Sequence, residues 1–325
     1  MTLSELTTQL RGAIGVISKR DIQVAARHLG LLRASGEAGL SWVGDDCAVI
    51  PDGSGHLLLA AEGMWPAFVA TEPYFAGYSA VMVNVCDIYA MGGRPLAVVD
   101  VVWGTSSAAL EPIWEGMTAA SRAYGVPIVG GHTNARSPYD ALAVAILGRA
   151  THLLTSRGAR LGDVLLLAAD LRGRPHPKHP FWDASTGVDP ARLRADLAIL
   201  PELAESGLCD AAKDISMGGI VGTLLMFLEA SGRGAVLDLD AVPRPPTMSL
   251  DRWLLAFPSY GFLLSVRPSQ VPLVQAAFGR RELACAPIGA VDASRRLALR
   301  SGGEEQVAWD FSTEPLTGFA GEERS

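Results

Sequence analysis

The sequence has little lysine, no densely basic segment and no long apolar run. Only three of its 27 basic residues are lysines (Lys19, Lys178 and Lys213), and the net charge is −7. This charge balance argues against a nucleic-acid-binding protein. No apolar run reaches the roughly 18 residues that a membrane span needs, and the first residues lack the apolar centre of a signal peptide. We therefore expect a cytoplasmic protein with no nucleic-acid or membrane partner.

Closely spaced cysteines are also missing. The four cysteines lie far apart in the chain, at Cys47, Cys86, Cys209 and Cys285. This spacing argues against a zinc knuckle and against a disulfide framework, so we expect four reduced and mostly buried thiols. The 325 residues, 49% of them hydrophobic, are enough for two domains with well-filled cores.

Apolar segments alternate with glycine- and proline-rich turns, which predicts a mixed α/β protein. The predicted strands are 56–62, 95–103, 126–129, 141–149, 163–169, 261–266 and 286–291. The predicted helices are 21–32, 77–91, 110–124, 190–205 and 220–231. A polar stretch at 153–162 indicates a domain boundary near residue 155, and the proline-rich stretch 171–182 predicts an irregular loop.

Two adjacent carboxylates, Asp45 and Asp46, stand between a glycine and an apolar run. In an extended segment their side chains point to opposite faces. A hard cation such as Mg²⁺, which binds carboxylate oxygens and commonly accompanies phosphates, would neutralise them. The alternative is a solvated turn, in which such pairs are common.

Asn84 and Asp87 lie three residues apart in the predicted helix 77–91 and so share one face. An aspartate in a strongly apolar helix is costly unless it is paired or metal-bound. The alternative is that Asp87 caps a neighbouring loop. The helix is expected to end at Gly92 and Gly93.

Two further motifs combine glycines with polar side chains. Gly130, Gly131 and His132 follow the predicted strand 126–129, where glycine N–H groups can approach an anion; the alternative is an ordinary turn histidine. Lys213 and Asp214 open the segment KDISMGG, which precedes an apolar helix. Ser216 or Asp214 would cap that helix, and its N-terminus favours a phosphate; the alternative is a plain N-cap.

In this order the segments GDDCAVI, NVCDIYAMGGRP, VPIVGGHTN and DISMGGI, within residues 44–220, resemble the AIR synthase-like (PurM-like) ATP-binding superfamily. The best detailed resemblance is to the AIR synthase-related proteins of uncertain function. Thiamine-monophosphate kinase and selenophosphate synthetase are more distant.

The resemblance implies the fold and the partners. It implies an α/β protein whose N-terminal α+β domain carries a mixed sheet that dimerises into a barrel, followed by an α/β C-terminal domain. We place a flexible N-terminal segment and helix at 1–35, the N-terminal domain at 36–154 and the C-terminal domain at 155–325. ATP and Mg²⁺ would bind near the subunit interface of a homodimer.

The resemblance also implies the site residues. The implied metal ligands are Asp45, Asp46, Asp87, Asp214 and Glu62. The implied nucleotide contacts are Asn84, Gly92, Gly93, Gly130, Gly131 and Lys19. Candidate catalytic residues are Lys213, His132 and Lys178, the last in the predicted loop 171–182.

Three positions depart from the pattern of the kinases. Thiamine-monophosphate kinases have an aspartate where this chain has Glu62 and another where it has His132. Many relatives also have an aspartate where this chain has Met217. The predicted function is an ATP- and Mg²⁺-dependent enzyme that phosphorylates an oxygen of a small molecule. The alternative, suggested by Met217, is a non-catalytic nucleotide-binding regulatory or assembly protein.

Overall fold

The computed structural model describes residues 1–34, 44–258 and 260–319. Its helices are α1 Leu3–Gly12, α2 Ile14–Ile17, α3 Ile22–Ala34, α4 Pro66–Thr71, α5 Pro73–Ala90, α6 Ser107–Tyr124, α7 Pro190–Leu197, α8 Ile199–Glu205, α9 Gly219–Ser231, α10 Leu250–Leu254 and α11 Val271–Gly279. Short 3₁₀ helices cover Ser18–Asp21, Ser156–Gly158, Leu239–Ala241 and Pro268–Gln270.

The strands are β1 Ala48–Asp52, β2 Gly55–Met64, β3 Arg94–Trp103, β4 Ile128–Asn134, β5 Ala141–Ala150, β6 Val164–Ala169, β7 Arg174–Pro175, β8 Trp182–Asp183, β9 Ala211–Asp214, β10 Gly234–Asp238, β11 Gly261–Val266, β12 Ala284–Asp292, β13 Arg296–Ser301 and β14 Glu304–Asp310. They form two mixed sheets and the small β7–β8 pair.

Contacts divide the chain into two compact units. The five-stranded unit comprises Asp46–Leu153 and Gly187–Glu202. The seven-stranded unit comprises Met1–Asp45, Leu154–Thr186 and Leu203–Ser325. Among the described residues no helix is long and apolar enough to cross a membrane.

The five-stranded unit has the strand order β1-β2-β5-β3-β4, and only β3 and β4 are parallel. Helices α5 and α6 approach each other closely because glycines lie between them. A Cβ atom on Gly77 would be 2.1 Å from the carbonyl oxygen of Ile113, and one on Gly116 would be 2.0 Å from that of Tyr74. Helix α5 also covers the inner face of β2 and β5, where Ile88 reaches Gly148.

The seven-stranded unit has the order β14-β13-β10-β12-β6-β11-β9, with β9 at one edge. Its core includes the buried side chains of Trp182, Trp253 and Trp309. Helix α1 packs into this core through Leu6 and Leu10. The N-terminal helix α1 therefore contacts this unit. The predicted boundary at 35–36 lies outside the described residues.

Most predicted elements occur with small shifts of their ends, but three predictions were wrong. The strand predicted to end at residue 129 continues to Asn134 as β4. The helix predicted at 190–205 is split into α7 and α8, because Pro201 lacks the N–H that would bind the Leu197 carbonyl and its ring crowds that group. The stretch 171–182 is more regular than expected, since Arg174 and Pro175 pair with Asp183 and Trp182.

Candidate functional site

Two carboxylates meet in the five-stranded unit. Asp46 lies just before β1, and Asp87 lies on α5 with 6% of its surface exposed. One carboxylate oxygen of each lies within 4.8 Å of the other. At an effective dielectric constant of about 20, two unit charges at this distance repel by about 3 kcal/mol. A bound cation would convert this repulsion into attraction.

Asn84 adds a neutral oxygen one helical turn before Asp87. Its side chain is fully buried and its amide nitrogen donates to the Ala80 carbonyl at 2.8 Å. Its Oδ1 atom accepts no hydrogen bond from any described residue. A buried acceptor that lacks a donor destabilises the fold, and a metal ion or a ligand N–H would satisfy it.

These oxygens fit a hard cation. Carboxylate and amide oxygens are the ligands that Mg²⁺ takes, usually together with water and phosphate oxygens. Asp46, Asp87 and Asn84 were all predicted as site residues, and the structure brings the first two together. The donor set fits Mg²⁺ and contains no nitrogen or sulfur ligand that would favour zinc.

Asp45 has different partners from its neighbour Asp46. Its side chain is only 2% exposed and accepts the backbone N–H of Ser156 at 2.8 Å and the Ser156 hydroxyl at 2.6 Å. The ammonium group of Lys213 lies 4.0 Å from the same carboxylate. Asp45 therefore contacts the 3₁₀ helix Ser156–Gly158 of its own unit, and its predicted role as a metal ligand stays a prediction.

Lys213 and Asp214 both lie on the edge strand β9, and both are buried. Adjacent residues of a strand point to opposite faces, so the ammonium group that approaches Asp45 points away from the carboxylate of Asp214. Asp214 belongs to the seven-stranded unit. Its predicted part in a metal site stays a prediction.

The predicted cap of the helix after this strand was wrong. The N-cap of α9 is Gly218, and no side chain caps it. Ser216 is used elsewhere, because its N–H donates to the Thr223 hydroxyl at 3.0 Å. The N-terminal segment lies against this turn: a Cβ atom on Gly15 would be 2.1 Å from the carbonyl oxygen of Met217.

The glycine and histidine motif lies inside β4 rather than after it. Strand β4 is the edge of its sheet, and every residue from Val129 to Asn134 is exposed. Gly131 and His132 consequently point to opposite faces. The space beside Gly131 is filled by Asp100 of β3, whose Oδ2 atom would be 2.3 Å from a Cβ at position 131.

Asp100 is a residue that the sequence reasoning missed. It is 3% exposed, and neither carboxylate oxygen has a hydrogen-bond partner among the described residues. Burial raises the pKa of this carboxyl group above its ordinary value. The signal was present in the sequence, because Asp100 is the one charged residue in the apolar run PLAVVDVVW.

Gly92 and Gly93 have structural roles at the end of α5. Gly92 has φ +75°, as a left-handed residue after a helix requires, and its N–H donates to the Tyr89 carbonyl at 2.9 Å. A Cβ on Gly93 would be 2.4 Å from a methyl carbon of Leu58. Their predicted contact with a nucleotide stays a prediction, as does that of Gly130.

The three remaining predicted residues lie on β2, in a 3₁₀ helix and between β7 and β8. Glu62 is exposed on β2, where it pairs with Val144. Among the described residues it does not belong to the cluster of carboxylates that contains Asp46 and Asp87. Lys19 is half-buried in the 3₁₀ helix Ser18–Asp21. Lys178 is exposed, and its N–H donates to Nδ1 of His176 at 3.2 Å.

The chain belongs to the AIR synthase related protein family. The N-terminal domain of that family matches residues 44–150, and the C-terminal domain matches residues 161–302. These matches confirm the resemblance inferred from the four sequence motifs.

Three relatives illustrate the range of similarity. The uncharacterized protein sll0787 of Synechocystis sp. is 51% identical over 321 residues, covering 98% of this chain and 99% of the relative. The uncharacterized protein MJ0640 of Methanocaldococcus jannaschii is 32% identical over 323 residues, covering 98% and 100%. A selenide, water dikinase of Colwellia psychrerythraea is 28% identical over 215 residues, covering 62% of this chain and 60% of that protein.

Solved structures share the architecture. T. maritima PurL complexed with ADP has a TM-score of 0.71 at 20% identity and covers 89% of this chain, which spans about half of PurL, 49%. AaThiL complexed with AMPPCP and TMP has a TM-score of 0.65 at 18% identity, covering 86% of this chain and 96% of AaThiL. The fold is therefore the two-domain, mixed α/β PurM-like fold, and structures of relatives hold adenine nucleotides.

Proposed function

We propose that this protein binds Mg·ATP and transfers the γ-phosphoryl group to an oxygen of a small molecule. The product is a phosphate ester, or an iminophosphate whose carbon an amine then attacks, with phosphate as the leaving group. The observation that carries the proposal is the Asp46–Asp87 carboxylate pair. The buried amide oxygen of Asn84, three residues before Asp87 on α5, adds to it. The nucleotides held by structures of relatives support it.

Asp46 and Asp87 would hold Mg²⁺, with the motif residue Asp214 as a further proposed ligand. The ion would spread the charge of the transferred phosphoryl group, which is the main requirement of this chemistry. Asp45 and Lys213 take a supporting role in this proposal, because the contact of Asp45 with Ser156 fixes the chain directly before Asp46. His132 and Lys178 remain proposed contacts of the acceptor.

The decisive measurement is thermal unfolding with and without Mg·ATP, followed by ADP formation with candidate acceptors. A ligand at 100 times its Kd stabilises a protein by about 2.7 kcal/mol. We expect Asp87→Asn to fold but to lose most of this stabilisation. Asp52→Asn is the matched control, because Asp52 lies in the same unit and forms a surface ion pair with Arg149.

Three outcomes separate the candidate functions. ADP formation that depends on an acceptor supports phosphoryl transfer. Mg·ATP binding without turnover across a broad metabolite screen supports the non-catalytic regulatory or assembly protein instead. Equal stabilisation of wild type and Asp87→Asn would remove Asp87 from the nucleotide site.

We also propose that the five-stranded sheet pairs with that of a second copy to form a barrel, in a cytoplasmic homodimer. The sheet face opposite α5 carries exposed apolar side chains, with Ile50 at 43%, Leu59 at 45% and Val99 at 42%. The strand register places these residues on one face. Ile50 pairs with Leu57, and Val99 aligns through Ala145 with Ala61. Leu57, Leu59 and Ala61 are alternate residues of β2 and therefore point to the same face. A contiguous apolar face of this kind is typical of an interface.

A further inference from the structure

Asp100 occupies a defined row of the five-stranded sheet. Glu62 of β2 pairs with Val144 of β5, Val144 pairs with Asp100 of β3, and Asp100 aligns with Gly131 of β4. Residues directly opposite one another in a sheet point to the same face. Glu62 and Asp100 are therefore on one face, roughly 10 Å apart across two strand spacings.

The position is unfavourable for a carboxylate in the absence of a ligand. Its neighbours two residues away on the same face, Val98 and Val102, are fully buried apolar side chains. Each buried oxygen without a donor costs about 1–3 kcal/mol, and burial also raises the pKa of the Asp100 carboxyl. A valine at this position would continue the apolar pattern of the strand without that cost.

The carboxylate is close to a surface. Its Oδ2 atom lies above Gly131, in the volume that a side chain at that position would occupy. Gly131 and Thr133 belong to the exposed edge strand β4, and Glu62 is exposed at the other end of the row. A molecule lying over β4 at Gly131 would therefore be close to the Asp100 Oδ2 atom.

We propose that Asp100 binds the phosphoryl acceptor through a group that carries at least two N–H donors, such as an amidinium, guanidinium or ammonium group. This inference rests on the proposed function, because it names the chemistry of the acceptor. Two vacant oxygens on one carboxylate match a planar pair of N–H donors, and a cationic group would favour the ionised form in a desolvated site.

A divalent cation fits this position less well than an N–H group. Metal ions of that class take six or more oxygen ligands from several residues. Among the described residues Asp100 belongs to no group of three potential metal ligands. A neutral hydroxyl supplies one donor and would leave the second oxygen unsatisfied.

The test compares Asp100→Val and Asp100→Asn with wild type in two respects, acetamidine binding and thermal unfolding. Acetamidine, used at millimolar concentration, is the probe, and neutral acetamide is its isosteric control. We expect acetamidine to shift the ¹³Cγ resonance of Asp100 in labelled wild-type protein while acetamide does not. In calorimetry both variants should bind acetamidine at least about tenfold more weakly.

Thermal unfolding separates binding from structure. If the carboxylate is retained for a ligand, Asp100→Val should raise the unfolding temperature of the ligand-free protein. Asp163→Asn is the matched control, because Asp163 is equally buried but accepts hydrogen bonds from Ser265 Oγ at 2.7 Å and from the Arg160 N–H at 3.1 Å. That control should lower the unfolding temperature.

An unfolding temperature that falls in Asp100→Val, or acetamidine binding that is unchanged in both variants, would overturn the inference. Mg·ATP stabilisation is measured in parallel and should be the same in wild type and both Asp100 variants. If Mg·ATP does not stabilise wild type, the proposed function is contradicted. If only the acetamidine assays fail, the proposed role of Asp100 is contradicted and the proposed function is not.

Discussion

Asp45 accepts both the backbone N–H and the hydroxyl of Ser156, across 111 residues of sequence. The next residue, Asp46, lies with Asp87 instead. The two adjacent carboxylates therefore have different surroundings, since Asp45 contacts Ser156 and Asp46 lies near Asp87. The repulsion between the two carboxylates is reduced because the ammonium group of Lys213 lies 4.0 Å from Asp45.

The Asp45 contact should contribute to stability rather than to nucleotide binding. We expect Ser156→Ala to lower the free energy of unfolding by about 1–3 kcal/mol, because Asp45 loses a buried donor. Thermal denaturation measures this, with the exposed Ser294→Ala as a control. Stabilisation by Mg·ATP should persist in the variant; its disappearance would mean that Ser156 acts at the nucleotide site.

The buried oxygen of Asn84 leads to a metal-dependent prediction. Asn84→Asp adds a third carboxylate near Asp87, so the unfolding temperature without Mg²⁺ should fall by a few degrees. Added Mg²⁺ should raise it by more than in wild type, because the extra charge is a ligand. Asn134→Asp, on the exposed strand β4, is the control and should show neither effect.

Sequence alone predicted the long apolar elements well. Strand β11 was predicted at its observed residues, and β2, β3 and β5 to within three residues at each end, because continuous runs of valine, leucine and alanine mark them. Among the described residues, five strands of the two mixed sheets were not predicted: β1, β9, β10, β13 and β14. Of these, β1 and β9 are too short, at five and four residues, to show a usable periodicity. Of the site, Asp46 and Asp87 follow from motifs, whereas the Asp45–Ser156 contact joins distant segments that no local pattern connects.

The apolar face of the five-stranded sheet predicts an association that one charge can disrupt. We expect wild type to sediment as a dimer and Leu59→Glu as a monomer, because a buried carboxylate without a partner is strongly disfavoured. Leu273→Glu is the matched control, since Leu273 is 54% exposed on α11 of the other unit. A wild-type monomer, or a dimeric Leu59→Glu, would contradict the proposed barrel.

The thiols of Cys209 and Cys285 should be inert in the folded protein. Burial raises the pKa of each from 9.0 to about 12, so almost no thiolate is present near neutral pH. The raised pKa fixes the sign of the pH dependence. Each of these thiols contributes fully to the free energy of unfolding below pH 9, and this contribution is lost as the pH rises toward 12, because the unfolded chain loses the thiol proton first. Reaction with a disulfide reagent at pH 8 should be slow for both thiols in the native state and rapid in denaturant.

The contact between Gly131 and Asp100 predicts a specific pattern of non-additivity. Gly131→Ala should destabilise the protein by about 1–3 kcal/mol, because its Cβ would be 2.3 Å from Asp100 Oδ2 and 2.5 Å from the Asp100 carbonyl oxygen. In Gly131→Ala with Asp100→Ala the loss should be smaller than the sum of the single changes, since the side-chain clash is gone while the backbone clash remains. Gly130→Ala is the control, because a Cβ there meets nothing within 4 Å. Denaturant unfolding of the four proteins gives the coupling free energy, and a value of zero would show that Gly131 is not required by the Asp100 carboxylate.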